Sequence, residues 1–197
     1  MGGAAIAGTY MALRAVIILQ TGLFAPNKRG LYDLESWIKS DYPDSADVWT
    51  TCRPFDANLD DVRNRIIGES PTFIVAIGHS FGAWHGTKKI GAIAAAIDRH
   101  IDLAGIIDGV QDRPFGFVRN CILTDRTPLP LPDNIESVMV ARTVHHGFDP
   151  SGRRVEHPKI IGSIEFGPHD GVYHANIDED HRVQSLAMAC IQQVIGT

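Results

Sequence analysis

Short apolar runs recur along the chain and alternate with segments in which the apolar residues follow helical spacing. A continuous apolar run is typical of a strand that is buried on both faces of a parallel sheet. The predicted strands are residues 15–20, 47–50, 73–77, 103–108, 135–144 and 159–166, and the predicted helices are residues 31–40, 59–67, 83–97 and 177–195. This alternation predicts an α/β fold, a three-layer sandwich around a mostly parallel sheet of about six strands.

The length of 197 residues fits one domain, which we expect to cover residues 11–197. Residues 1–10 are rich in Gly and Ala and contain no basic residue, so they are expected to form a disordered lead and make a poor signal peptide. The three cysteines, Cys52, Cys121 and Cys190, lie far apart and form no Cys-x-x-Cys motif. A reduced, cytoplasmic setting is therefore the expectation.

Charge and composition argue against several classes of function. The net charge is −5 and basic residues form no cluster longer than a pair, so nucleic acid is not an expected partner. No apolar run reaches the roughly eighteen residues of a membrane span. Histidines are concentrated between His145 and His181, with Asp170 and Asp178 nearby, but their spacing matches no zinc motif. With no phosphate or dinucleotide motif either, we predict no metal and no cofactor, and we interpret both aspartates as loop or helix-cap residues.

The segment Gly78-His79-Ser80-Phe81-Gly82 lies between a predicted strand and a predicted helix. A Gly-x-Ser-x-Gly motif in that position is typical of a nucleophile elbow, a sharp turn that exposes the serine hydroxyl. The glycines leave room where the turn brings strand and helix together, and the serine takes a strained backbone conformation. The pattern therefore predicts Ser80 as a nucleophile, beside a helix N-terminus that suits an oxyanion.

On this motif, and from about Leu13 onward, the chain resembles the α/β-hydrolase family. The Gly-His-Ser-x-Gly version is similar to that of lipases, esterases and thioesterases. The resemblance implies a minimal α/β-hydrolase fold with an oxyanion hole made by two backbone N–H groups, those of Phe81 and Leu23. The second assignment rests on the loop after the first strand, which usually reads His-Gly in the family, whereas Thr21 stands here in place of the His.

The same resemblance implies a base and an acid that follow Ser80 in the chain. His174 is the preferred base because the segment after it leads directly into the terminal helix, and His169 is the alternative. Asp108 is the preferred acid because it ends the strand that follows the elbow helix, and Asp149, in the loop after the next strand, is the alternative.

Two further regions are expected to lie near the active site. Residues 109–134 contain four prolines together with several apolar residues, a pattern that fits either a flap over the site or an ordinary packed surface loop. Trp84 and His85 either line the pocket or pack on the sheet. The functional hypothesis is a serine hydrolase of small-molecule carboxylic esters, with a thioesterase, an amidase or a non-catalytic binding protein on the same fold as alternatives.

Overall fold

The computed structural model describes residues 13–22, 29–110, 128–144 and 152–196. The strands are β1 (Ala15–Thr21), β2 (Val48–Pro54), β3 (Phe73–His79), β4 (Leu103–Ile107), β5 (Val138–Thr143) and β6 (Ile160–Phe166). The helices are α1 (Gly30–Asp41), α2 (Asp60–Glu69), α3 (Thr87–Ala95) and α4 (His181–Ile195), with a π-helical turn at Gly82–Gly86 and a 3₁₀ turn at Ile177–Glu179. Strands and helices thus alternate along most of the chain.

The strands form one six-stranded parallel sheet in the order β2-β1-β3-β4-β5-β6. Strand β3, which precedes Ser80, is an interior strand between β1 and β4. Because all strands run in the same direction, their carboxyl ends meet at one edge of the sheet, where binding sites of parallel α/β folds occur. This arrangement confirms the predicted α/β sheet.

Apolar side chains cover both faces of the sheet and form two separate cores. One core joins the sheet to α1 and α4, for example through Leu34 and Ala187, and the other joins it to α2 and α3, for example through Ile66 and Ile90. All seven residues of β1 are buried, as expected of a strand that is covered on both sides. The fold is therefore a three-layer sandwich.

Several element boundaries differ from the predictions. The predicted helix 83–97 begins as the wider π-helical turn. This turn passes close against β1, since a Cβ at Gly82 or Gly86 would collide with Gln20. The predicted helix 177–195 is divided at Asp180, which has an extended backbone (φ −69°, ψ 123°) and caps α4. Strand β2 extends to Pro54, whereas Ile135 forms only an isolated bridge to Ile101, outside β5.

Some sequence predictions fall on residues that are not described. The lead at residues 1–10 and most of the proposed flap, residues 111–127, lie outside the described residues. Cys52 and Cys190 are free cysteines, and Cys121 lies outside the described part. Among the helices that the structure describes, none has the length and apolar character needed to cross a membrane.

Candidate active site

Ser80 lies in a strained turn directly after β3. Its backbone has a positive φ of 58°, an uncommon conformation for a residue with a side chain. The turn is tight: a Cβ at Gly78 would come within 2.3 Å of Gly82, and a Cβ at Gly22 within 2.6 Å of the Ser80 Cβ. The N–H of Ser80 donates to the carbonyl of Ile107, 2.9 Å away, which ties the turn to the end of β4. A strained, tight turn of this kind is what a nucleophile elbow requires.

The imidazole of His174 connects Ser80 to Asp108. Its Nε2 lies 2.9 Å from Oγ of Ser80, and its Nδ1 lies 2.8 Å from Oδ2 of Asp108. With the Nδ1–H donating to the carboxylate, Nε2 keeps a lone pair that accepts the serine hydroxyl proton. The structure thus brings together the preferred serine, base and acid of the sequence analysis.

Asp108 follows β4 and is fully buried. Its Oδ1 accepts hydrogen bonds from the backbone N–H groups of Thr143 and Gly152, each at 2.7 Å, and its Oδ2 accepts from the Thr143 hydroxyl at 2.7 Å. A buried carboxylate is costly unless donors surround it, and these donors meet that requirement. They also fix the direction in which Oδ2 faces His174.

The residues that the sequence analysis named as alternatives do not contact Ser80 in the structure or lie outside the described residues. His169 is exposed in the turn after β6, and the imidazole that contacts both Ser80 and Asp108 is that of His174. Asp149 and Leu23 lie outside the described residues, so the alternative acid and one predicted oxyanion donor remain predictions. Asp170 accepts a hydrogen bond from the N–H of Gly167 at 2.6 Å, which agrees with its interpretation as a loop residue.

Phe81 occupies the start of the helix that follows the elbow. It is the N-terminal cap of the π-helical turn, with a helical backbone (φ −62°, ψ −31°). The first N–H groups of a helix have no acceptor within the helix and can bind a negative charge. The backbone N–H of Phe81, directly after Ser80 at the start of this turn, is therefore in the position that the predicted oxyanion role requires.

A row of partly buried rings lies next to the elbow. The rings of Phe81 and Phe55 are 6.0 Å apart, those of Phe55 and His85 6.1 Å, and those of His85 and Trp84 6.2 Å. The indole N–H of Trp84 donates to the carbonyl of Pro130 at 3.0 Å. Phe81 directly follows Ser80, so this row of rings begins at the elbow.

The two cysteines in the described part of the chain are poor nucleophiles. Burial raises the pKa of Cys52 to about 12, which keeps its sulfur in the unreactive thiol form, and burial also raises the pKa of Cys190. Within the described residues, no three His, Cys, Asp or Glu side chains lie together as a metal-binding group.

The sequence analysis missed the surroundings of His79 and Asp178. His79, treated there only as the variable position of the motif, is buried, and its Nε2 lies 2.8 Å from the carbonyl oxygen of His174. Its Nδ1 lies 3.7 Å from Oδ2 of Asp178, which is buried rather than a helix cap; the cap of α4 is Asp180. The sequence offered one signal for this pair: an ionisable residue inside the motif, His79, and another shortly after His174, Asp178.

Comparison with known proteins assigns no family to this chain. No protein-family model matches it, and a search of curated proteins finds no similar sequence. The fold and the geometry of the site are therefore the basis of the functional argument.

Proposed function

We propose that this protein is a serine hydrolase of carboxylic esters. The observation that carries the proposal is the continuous chain of hydrogen bonds from Ser80 through His174 to the buried Asp108. A serine hydroxyl is a weak nucleophile unless a base accepts its proton, and the base works best when an acid orients it. Each of these requirements has a residue in the site.

In the acylation step, Oγ of Ser80 attacks the ester carbonyl carbon while its proton moves to Nε2 of His174. Asp108 accepts the Nδ1–H hydrogen bond and stabilises the imidazolium that forms. The negative charge that develops on the carbonyl oxygen is directed to the backbone N–H groups of Phe81 and Leu23. When the tetrahedral intermediate collapses, the imidazolium gives its proton to the departing alcohol, and the acyl group remains on Ser80.

In the deacylation step, a water molecule takes the place of the alcohol. His174 removes one proton from the water, whose oxygen attacks the acyl carbon, and then returns that proton to Oγ of Ser80. The products are a carboxylic acid and the free enzyme. The partly buried rings of Phe55 and Phe81 supply an apolar surface for the part of the substrate that does not react.

We also propose that the chain is a small member of the α/β-hydrolase family. The Gly-His-Ser-x-Gly turn between β3 and a helix supports this, as do the positive φ of Ser80 and the order serine, acid, histidine along the chain. The parallel sheet, with the elbow strand in its interior, is compatible with this assignment.

The test is hydrolysis of p-nitrophenyl acetate together with covalent labelling by a fluorophosphonate. The wild type should hydrolyse the ester and be labelled at Ser80, whereas Ser80→Ala should lose about 10⁴-fold or more in kcat/KM and all labelling. Ser36→Ala, which removes an exposed hydroxyl on α1, is the matched control and should behave like the wild type. Equal hydrolysis by Ser80→Ala and the wild type would contradict the proposal.

A further inference from the structure

His79 is the last residue of β3 and joins the strand before the nucleophile to the loop that carries the base. Its side chain follows Val75 and Ile77 on the sheet face that packs against α1 and α4, and it is only 5% exposed. Its Nε2 lies 2.8 Å from the carbonyl oxygen of His174, which is 95 positions away in the sequence. The two imidazole centroids are 5.1 Å apart.

The contact with the His174 carbonyl defines which nitrogen of His79 carries a proton. A backbone carbonyl can only accept a hydrogen bond, so Nε2 of His79 must be the donor. A neutral imidazole has only one N–H, and therefore Nδ1 of neutral His79 carries a lone pair. That lone pair faces Asp178.

Asp178 completes a buried pair with His79. Its Oδ2 lies 3.7 Å from Nδ1 of His79, and its side chain is 2% exposed. Among the described residues, neither Nδ1 of His79 nor Oδ1 of Asp178 has a hydrogen-bond partner. The start of α1 leaves space for the carboxyl group, since a Cβ at Gly30 would come within 2.7 Å of its Cγ.

At 3.7 Å, Nδ1 of His79 and Oδ2 of Asp178 are just beyond hydrogen-bond distance, so a buried polar group faces Nδ1 without being bonded to it. Burial lowers the pKa of His79, Asp178 opposes that shift, and His174 adds to it. Whether His79 is neutral or cationic, its Nε2–H can donate to the carbonyl of His174.

We propose that His79, oriented by Asp178, is a positioning residue that holds the main chain of His174 so that its imidazole reaches both Ser80 and Asp108. The inference rests on the proposed function, in which His174 is the base. The ring of His174 is held by Ser80 and Asp108, and its main chain lies in a turn between β6 and the 3₁₀ turn. The His79 hydrogen bond fixes that turn from the side of the nucleophile strand.

The first test compares two substitutions at position 79. His79→Leu removes the donor, and a displacement of the base by about 1 Å can lower a rate by up to about a hundredfold. We expect kcat of His79→Leu to fall by about ten- to a hundredfold with KM within about twofold, because the ester-binding surface is untouched. His79→Gln can place an amide N–H near the position of Nε2 and should recover kcat to within about threefold of the wild type.

The matched control is His157→Leu. His157 also lies near a backbone carbonyl, with its Nε2 3.2 Å from the oxygen of Ile135, which lies just before β5 and therefore at the opposite edge of the sheet from Ser80. This variant loses the same side chain and should keep the kcat of the wild type. Equal activity of His79→Leu and His157→Leu would overturn the proposal, and so would failure of His79→Gln to recover activity when His79→Leu is impaired.

A second readout does not need substrate. The Nδ1 proton of His174, held by Asp108, should give a low-field proton resonance in the nuclear magnetic resonance spectrum of the folded protein. We expect that resonance to broaden or shift in His79→Leu and to remain in His79→Gln and His157→Leu. If the wild type hydrolyses no ester, the proposed function fails but this measurement still decides the positioning role; an unchanged resonance in His79→Leu refutes it.

The role of Asp178 is tested with Asp178→Asn. An amide can donate to Nδ1 of neutral His79 without an ionisable proton, so the Nε2–H donor is preserved. We expect kcat within about threefold of the wild type and an unchanged His174 resonance. A loss as large as that of His79→Leu would show that the pair acts through the charge of Asp178, and this outcome overturns a role that rests on the Nε2–H donor of His79.

Discussion

Gly152 lies so close to Asp108 that a Cβ at position 152 would come within 2.2 Å of the carboxylate Oδ1. The same residue donates its backbone N–H to that oxygen at 2.7 Å. The acid of the candidate triad is thus held by a residue that packs against it without a side chain, 44 positions later in the sequence.

Gly152→Ala should therefore displace the Asp108 carboxylate and lower kcat/KM by about ten- to a hundredfold, because the imidazole loses its orienting partner. Ester hydrolysis and circular dichroism measure activity and fold together. Gly68→Ala is the control: a Cβ there meets nothing within 4 Å, and Ala in place of Gly in α2 should raise stability by about 0.5–1 kcal/mol without changing activity. A fully active Gly152→Ala variant would show that the close approach is not needed.

The positive φ of Ser80 predicts opposite effects of one substitution on stability and activity. Ser80→Gly removes both the hydroxyl and the strain, so it should abolish hydrolysis while raising the free energy of unfolding by about 1 kcal/mol. Ser70, with a φ of 45° at the C-terminal cap of α2, provides the control. Ser70→Gly should stabilise the protein by a similar amount and keep full activity. Urea denaturation measures the stability of both variants, and ester hydrolysis measures their activity. A Ser80→Gly protein that is less stable than the wild type would contradict the strain argument.

Asp108→Asn should lower kcat by about 10³- to 10⁴-fold with the fold retained. An asparagine can still accept from Thr143 and Gly152 through its carbonyl, but its amide group then faces the Nδ1–H of His174, two donors against each other. His174 would therefore turn to the wrong tautomer. Asp149→Asn, at the alternative acid, should stay within about threefold of the wild type in the same steady-state assay. The reverse result would move the acid to Asp149.

Asp180 caps α4 by accepting a hydrogen bond from the backbone N–H of Arg182, 2.9 Å from its Oδ1. Asp180→Ala should lower the free energy of unfolding at pH 7 by about 1 kcal/mol. The side-chain hydrogen bond from Arg182 lowers the pKa of this carboxyl group. The contribution of the carboxylate is thus fully present above the unfolded pKa and is lost as the pH falls through the lower, folded value.

Urea denaturation of the wild type and Asp180→Ala at a series of pH values between 7 and 2 measures this effect. The difference in stability should shrink in the acidic range. Asp133→Ala, at an exposed position in the segment before β5, is the control and should change stability little at pH 7. A difference that stays constant down to the lowest pH would refute the charged-cap argument.

The order of the elements and the sharp turn at Ser80 could be predicted because both depend on local sequence. A buried parallel strand requires a continuous apolar run, and the turn after β3 requires glycine where strand and helix meet, so residues 73–82 carry the signal for Ser80 without reference to the rest of the chain. The boundaries were less predictable: the wide turn at Gly82–Gly86 packs against Gln20 on β1, a contact between segments that are distant in the sequence.

The partners of Ser80 depend on contacts between distant segments, and only the tertiary structure shows which of the two candidate histidines lies beside it. His169 and His174 lie five positions apart in one loop, yet the imidazole beside Ser80 is that of His174, because the turn at residues 173–176 and the packing of α4 set where the loop approaches β3. The pair of His79 and Asp178 likewise forms where a strand end meets a loop from the far end of the chain. Composition and spacing along the sequence carry no record of such distances.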